Sequence, residues 1–307
     1  MAGSGAGIGI ERLGFVGFGE AAFHLAKGLR EAGVKRTIAF DIHLHTPDAG
    51  EKIQARARET RTDLVEFSAA LAAGSDVIIS AVTADQAGDA AEQTAPYLTS
   101  RHIYADLNSV SPRTKQRVGE VITRSGARFV EIAVMGPIPP HLHKTPMLLG
   151  GASAAEFQEM FAPYGMRMDV VSTDQIGRAA AVKMFRSVIY KGLEALIFEC
   201  VLGARRYGAE DRVFASLAES FPGIDWKKLA DYMVGRVVVH GERRAREMDE
   251  VARTLEELGI EPMMAAATAR RMDWAADLGL REAFGGEFPK TYQEVLDALS
   301  KPSLVRK

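Results

Sequence analysis

The segment Ala181-Val-Lys183-Met-Phe-Arg186-Ser187-Val-Ile-Tyr190-Lys191-Gly-Leu-Glu194 sets polar side chains into an apolar run. Steps of three and one between residues 183, 186, 187, 190, 191 and 194 put them on one face of a helix. Burying unpaired charge is costly, so the stripe should face either bulk water or a polar cleft, and the spacing alone leaves both open. A lysine partly buried beside other cations has a lowered pKa and can take a proton near neutral pH. Lys183 is therefore a candidate general acid/base for an alcohol that loses its proton as hydride departs, with Ser187 one turn on, and Asn108 farther back in the chain, to orient the reacting oxygen or a nicotinamide. Arg186 and Lys191 are candidates for recruiting an anionic substrate.

Two further polar groups follow strand-like runs. In Asp106-Leu-Asn108-Ser109-Val-Ser111-Pro112, Ser111 reads as a helix N-cap and Pro112 as the first helical residue. Strand ends of this kind face the cleft of an open α/β sheet, where Asn108 and Ser109 are placed to hold a carboxylate or a nicotinamide. Val134-Met135-Gly136-Pro137-Ile-Pro-Pro140 is a stiff loop suited to a pocket wall, with Met135, Gly136 and Pro137 as substrate-facing positions. His141 and His143 after it read as surface residues. Farther on, His240, Arg243, Arg244 and Glu247 share a helical face with Arg246 beside it. Surface salt bridges account for them, and a substrate-anion or dimer contact is the sharper alternative.

These groups need a scaffold, and the first half of the chain supplies one. Short β-rich runs at 13–17, 37–41, 76–82, 102–106 and 127–132, and weaker ones at 147–150 and 168–171, alternate with helical patterns such as 20–31. Such alternation implies a mostly parallel sheet covered on both faces. Gly17-x-Gly19-x-x-Ala22 joins the first strand to the first helix. The first Gly allows the tight turn, the second lets backbone approach a pyrophosphate, and the small third residue lets helix and strand pack. Unpaired N–H groups at the helix start then meet the phosphates. Asp41 ends the second strand about 20 residues later, where a carboxylate accepts hydrogen bonds from the adenosine ribose. Gly17, Phe18, Gly19, Glu20, Ala21, Ala22, Asp41, Val82, Thr83 and Asn108 form the expected cofactor-binding set. Asp41 would repel a 2′-phosphate, so NAD is expected and NADP less favoured, though His43 and His45 stand ready to meet a phosphate. A metal bound by Asp41, His43 and His45 is conceivable, but a solvated loop explains them better, and no metal site is expected.

The pattern changes near Ser172. From Gln175 on no strand is evident: an apolar stretch to about Tyr207 precedes helical patterns near 209–220, 225–238, 240–258, 262–279 and 291–299. The expected fold class is α/β, with an N-terminal Rossmann domain (doubly wound, mostly parallel sheet) over 12–174 and an all-α substrate and dimerisation domain over 175–307. Residues 1–11, rich in Gly, read as a flexible tail without the features of a secretion signal. The 307 residues suit two domains. The formal net charge of −2 gives no reason to expect nucleic acid or an anionic membrane as partner, and no apolar run is long enough to span a bilayer. The single cysteine, Cys200, fits a buried hydrophobe in a reducing, cytoplasmic setting.

Together these motifs resemble the β-hydroxyacid dehydrogenase family, which includes 3-hydroxyisobutyrate dehydrogenase and 6-phosphogluconate dehydrogenase. Gly14-Phe-Val-Gly-Phe-Gly19 matches its nucleotide fingerprint, Asp106 to Pro112 its substrate-binding Asp-x-Ser-Thr-x-x-Pro element, Glu131 to Pro137 its Asp-Ala-Pro-Val-Ser-Gly-Gly loop, and Gly177-x5-Lys183 the segment with its catalytic lysine. Arg246-Glu247 resembles its Lys-Asp pair, which makes Arg246 a substrate-binding candidate. The resemblance implies an NAD-dependent dehydrogenase acting on a 3-hydroxy acid or related alcohol, and a homodimer through the helical domain. Asn108-Ser109 replaces Ser-Thr, Met135-Gly136-Pro137 replaces Ser-Gly-Gly, and Ser187 stands where Asn is expected. The changes point to a divergent subgroup with a phosphogluconate-dehydrogenase-like C-terminal domain and a substrate that is anionic or bulky. An imine reductase shares the two-domain plan but usually lacks this lysine, and a non-catalytic NAD sensor would not need it.

Overall fold

The computed structural model describes residues 10–300. They part into two compact units, one ending at Lys183 and the other starting at Met184. The parting lies inside a helix, whereas the sequence reading put it at residue 175.

The first unit is one eight-stranded sheet: β1 (Leu13–Val16), β2 (Thr37–Phe40), β3 (Asp63–Val65), β4 (Val77–Ser80), β5 (Ile103–Asp106), β6 (Arg128–Val134), β7 (Met147–Gly150) and β8 (Met168–Ser172). Their order is β3-β2-β1-β4-β5-β6-β7-β8. Pairing is parallel from β3 to β6, antiparallel between β6 and β7, and parallel between β7 and β8. Between the strands run α1 (Glu20–Glu31), α2 (Ala49–Thr60), α3 (Ser68–Gly74), α4 (Ala87–Thr94), α5 (Pro112–Arg124) and α6 (Ala154–Phe161). Side chains alternate between two cores because strand residues point to opposite faces. Phe15, Ile79 and Ala105 enter one, while Val16, Ile78 and Tyr104 enter the other. Burial on both faces accounts for the near-continuous apolar strands.

The second unit contains α8 (Glu210–Ser220), α9 (Trp226–Glu257), α10 (Met263–Asp277), α11 (Leu280–Ala283) and α12 (Tyr292–Leu299). The long α7 (Arg178–Arg205) starts in the first unit and continues into the second. No strand occurs in the second unit among the described residues. The patterns at 225–238 and 240–258 are one helix, α9, whose N-cap Asp225 accepts the Lys228 N–H through its side chain. Nothing between them stops a helix: Gly235 and Gly241 are buried, and a Cβ at Gly241 would press on the Met272 carbonyl at 3.1 Å. No helix of the described residues is long and apolar enough to cross a membrane.

Three readings are corrected. β3 was not foreseen; it has three residues at the sheet edge. His143 is buried rather than on the surface, because Gly28 of α1 leaves room for its ring. Of the expected tail, residues 1–9 lie outside the described residues, and Ile10 is buried with its N–H donating to the Tyr164 hydroxyl at 3.0 Å.

Candidate active site

β1 and β4 are neighbours whose onward connections leave in opposite directions, the position where open α/β sheets leave a crevice beyond their strand ends. A cleft of about 460 Å³ lies there, lined by Gly17, Gly19, Asp41, Val82 and Thr83 together with Glu20 and Ala21 of α1. Gly17 takes φ +80°, and a Cβ on it would stand 2.7 Å from the Ala81 carbonyl oxygen. Nothing lies within 4 Å of where a Gly19 Cβ would be, so the backbone is open at the start of α1. No side chain caps that helix start, which leaves its N–H groups for a pyrophosphate. The Asp41 carboxylate accepts from the Phe18 N–H at 2.7 Å and the His43 N–H at 2.9 Å. The residues present therefore fit a dinucleotide. Phe18 and Ala22 contribute backbone and small size, since both side chains are fully buried below the cleft. His45 pairs with Glu66 at 2.5 Å, and no group of three His, Cys, Asp or Glu among the described residues is placed to hold a metal.

Gly17→Ala is expected to weaken binding of a nicotinamide dinucleotide about tenfold or more, as read by titration calorimetry. Its left-handed φ costs a side chain about 1–3 kcal/mol, a backbone carbonyl blocks the new methyl, and each 1.4 kcal/mol is about tenfold in affinity. Unchanged affinity would mean that the dinucleotide does not use this turn.

Asn108 links the cleft to the next strand end. Its Oδ1 accepts the Val82 N–H at 2.7 Å, and its Nδ2 donates to Ser80 Oγ at 3.0 Å and to Asp106 Oδ1. Its amide is thus committed to bracing the β4 and β5 ends, a different task from orienting a reacting oxygen. Ser111 caps α5 by accepting the Thr114 N–H, as its position before Pro112 implied. Between them stands Ser109, whose Oγ receives a hydrogen bond from Lys183 Nζ at 2.6 Å. The general acid/base candidate and the polar loop after β5 therefore meet within the first unit. Met135, Gly136 and Pro137 follow the end of β6, at the same sheet edge as the end of β5; the Met135 N–H donates to the Pro146 carbonyl at 2.9 Å, and Pro137 is exposed.

Two buried charged residues behind this edge were not foreseen. Lys115 of α5 pairs with Asp106 at 2.9 Å, both almost wholly buried, and bonds the carbonyl oxygens of Asp106 and Ile132. Glu131 of β6 is fully buried and accepts from the Gly177 and Ala179 N–H groups. The sequence signal was a charged residue inside an otherwise apolar strand, Phe129-Val-Glu131-Ile-Ala133.

The second unit shows where the rest of the α7 stripe goes. It faces neither water nor a cleft alone: Glu194 is fully buried between Arg236 and Arg244 of α9, at 3.2 and 2.5 Å, and Lys191 is buried against Glu247 at 2.7 Å and bonds Ser187. The rule that forbids buried charge applies to unpaired charge, and here α9 supplies the partners. Burial pushes Glu194 up to about 7 against the pull of Arg236 and Lys191. Burial also pushes Glu247 up, but Lys191 and Arg243 outweigh it and leave that carboxyl below its ordinary value. Arg186 is exposed and lies over the Tyr190 ring at 4.9 Å, while Arg246 is tied to Asp249 and Asp273. Arg244 is buried rather than part of a surface salt bridge.

Residues 12–171 match the family described as the NAD binding domain of 6-phosphogluconate dehydrogenase. The chain belongs to that family. Residues 204–275 match a domain of unknown function (DUF1932). Within a solved structure of a conserved hypothetical protein from Sinorhizobium meliloti 1021, the similarity reaches 38% identity and a TM-score of 0.77 over 85% of this chain and 87% of that one. A conserved protein of unknown function, described as structurally similar to 3-hydroxyacid dehydrogenases, shows 31% identity and a TM-score of 0.75 over 90% and 98% of the two chains. The mitochondrial 3-hydroxyisobutyrate dehydrogenase of Drosophila melanogaster is 26% identical over 225 residues, 71% of this chain and 66% of that protein. The family member described here thus has the nucleotide-binding fold of hydroxyacid dehydrogenases, a fold that serves oxidoreductases with a nicotinamide cofactor.

Proposed function

We propose that this protein is an NAD-dependent oxidoreductase that interconverts a hydroxyl and a carbonyl on a 3-hydroxy acid or related alcohol, with Lys183 as general acid/base. The observation that carries the reading is the 2.6 Å bond from Lys183 Nζ to Ser109 Oγ, on the loop beyond β5, the strand beside the cofactor cleft. The likeness to a 3-hydroxyisobutyrate dehydrogenase supports the substrate class.

The cleft residues Gly17, Gly19 and Thr83 would hold the dinucleotide, with Asp41 toward its ribose, and a nicotinamide there supplies or accepts hydride. Asp41 favours NAD because its carboxylate would repel a 2′-phosphate. The chain's own part is proton handling. A neutral Lys183 Nζ takes the hydroxyl proton as the alcohol is oxidised, and the protonated amine returns it in reduction. Ser109 Oγ holds the amine toward the strand edge and is displaced toward the substrate oxygen when substrate enters. Ser187, one turn along α7 from Lys183, orients the reacting oxygen. Met135, Gly136 and Pro137 shape the pocket wall; of the expected anion-recruiting cations, Arg186 is exposed and meets an anionic or bulky remainder of the substrate, whereas Lys191 is buried on Glu247 and Arg246 is tied to Asp249 and Asp273. The helical domain from residue 175 on pairs two copies, and the enzyme works in the cytoplasm.

The test is NADH formation with a panel of short 3-hydroxy acids, sugar acids and bulkier aromatic 3-hydroxy compounds, with NADP in parallel. Turnover of one class with NAD is expected. NAD binding without turnover of any class sinks the dehydrogenase reading, and a preference for NADP sinks the role given to Asp41.

A further inference from the structure

We propose that Glu131 is a positioning residue for Lys183: its buried carboxylate clamps the first turn of α7 and so sets where the amine stands over Ser109. The inference rests on the acid/base role given to Lys183.

Both carboxylate oxygens are in use. Oε2 accepts the Gly177 N–H and Oε1 the Ala179 N–H, each at 2.7 Å. A helix start has free N–H groups and the positive end of its dipole, so a carboxylate binds it strongly. Ala179 lies four residues before Lys183, on the same face and about 6 Å down the axis. Whatever fixes Ala179 fixes the root of the lysine.

The clamp itself has little freedom. Glu131 is paired in register with Asp106 on one side and Gly150 on the other. Gly150 keeps open the space its carboxyl fills, since a Cβ there would collide with Oε1. Gly177, at φ +101°, lies so near α5 that a Cβ would stand 3.1 Å from the Pro112 carbonyl oxygen. Pro112 opens α5 three residues after Ser109. The start of α7 is thus registered from two sides against the loop that carries the lysine's partner. Burial, with Asp106 alongside, leaves the Glu131 carboxyl above its ordinary value, although the two N–H groups and Lys115 pull toward the anion that accepts both bonds.

The experiment compares wild type, Glu131→Gln and Glu131→Asp as full-length protein. Glu131→Gln keeps the shape but turns one acceptor into a donor facing an N–H; Glu131→Asp keeps the charge with a shorter reach and is read by the same criteria should the amide variant not fold. Hydrogen exchange over 177–183 reads the clamp. Trace acetylation of Lys183 by acetic anhydride, located by mass spectrometry, reads the amine. Exchange is expected to quicken roughly tenfold or more, and Lys183 acetylation near neutral pH to change by roughly threefold or more, with NAD affinity unchanged. On any 3-hydroxy acid that wild type oxidises, kcat should fall roughly tenfold with KM held. Wild-type acetylation of Lys183 in a folded variant overturns the proposal, even with faster exchange, because Glu131 would then cap the helix without governing the lysine. Failure of the acid/base assignment shows separately, as full turnover by a protein whose Lys183 is replaced by Ala.

Discussion

Lys183→Ala lowers kcat about 100-fold or more on whichever hydroxy compound the wild type oxidises, the loss that follows removal of a general acid/base. NAD affinity stays at its wild-type value, because the cleft formed by Gly17, Asp41 and Thr83 does not include Lys183. Lys183→Arg is the sharper control. A guanidinium keeps the charge and can reach Ser109, yet it stays protonated at any working pH and cannot accept the alcohol's proton. Both variants should therefore fail in oxidation, with Arg no better than Ala. Steady-state NADH formation and calorimetric NAD titration together decide the matter. Full activity in Lys183→Ala would make the 2.6 Å bond to Ser109 a feature of an ordinary polar helix face and remove the proposed mechanism.

Glu194→Ala destabilises the helical unit by about 3–5 kcal/mol when unfolding is followed at about pH 8, the usual range for breaking a buried pair by removing one partner. Arg244 is 3% exposed and would be left with a buried, uncompensated guanidinium. Replacing both members, Glu194→Leu with Arg244→Met, should recover most of the loss, because the fully buried guanidinium is then gone and Arg236, whose side chain is 22% exposed, keeps its bond to the Tyr232 hydroxyl. The chain's two tryptophans, Trp226 and Trp274, both lie in this unit, so their fluorescence reports its unfolding alone. The pH dependence has a definite sign. Glu194 titrates at about 7 in the folded unit, above the ordinary carboxyl range. Its protonated form adds stability that is fully present below that ordinary range and is lost as pH rises through about 7, whereas the loss in Glu194→Ala at about pH 8 comes from the stranded arginine. The fluorescence midpoint should therefore fall between about pH 5 and 7, and Glu194→Gln should flatten the slope. A wild-type midpoint in Glu194→Ala, or a slope that survives Glu194→Gln, would show that other groups hold this helix pair together.

The sheet unit was readable because its signals are local. Gly17, Gly19, Ala22 and Asp41 act through neighbouring backbone, and the first helix lies at 20–31 as its apolar spacing implies. Ser111 with Pro112 announces a helix start for the same reason. Three kinds of information were out of reach. β3 has only Asp63, Leu64 and Val65, too short to show a period. The unbroken course of α9 depends on α10 packing over Gly241, which the spacing of residues 225–258 cannot reveal. The burial of Lys191 and Glu194 depends on Arg236, Arg244 and Glu247, more than 40 positions away, so a stripe that reads as wet becomes a paired interior. Asn108 illustrates a subtler limit: its type and place after β5 were informative, but which atoms its amide holds is set by Ser80 at the end of β4 and Val82 just beyond it.

The chain's own backbone holds the Asp41 carboxylate that is proposed to face the ribose. The backbone N–H groups of Phe18 and His43 each hold one of its oxygens, so the carboxylate loses little further conformational entropy when a ribose docks. Each such side chain frozen only at binding would subtract about 0.5–1.5 kcal/mol from the affinity. In the proposed reading the Asp41 end of the cleft is in this sense a template cast in advance, and it would anchor the cofactor by its adenosine end first, with adjustment left to the nicotinamide end.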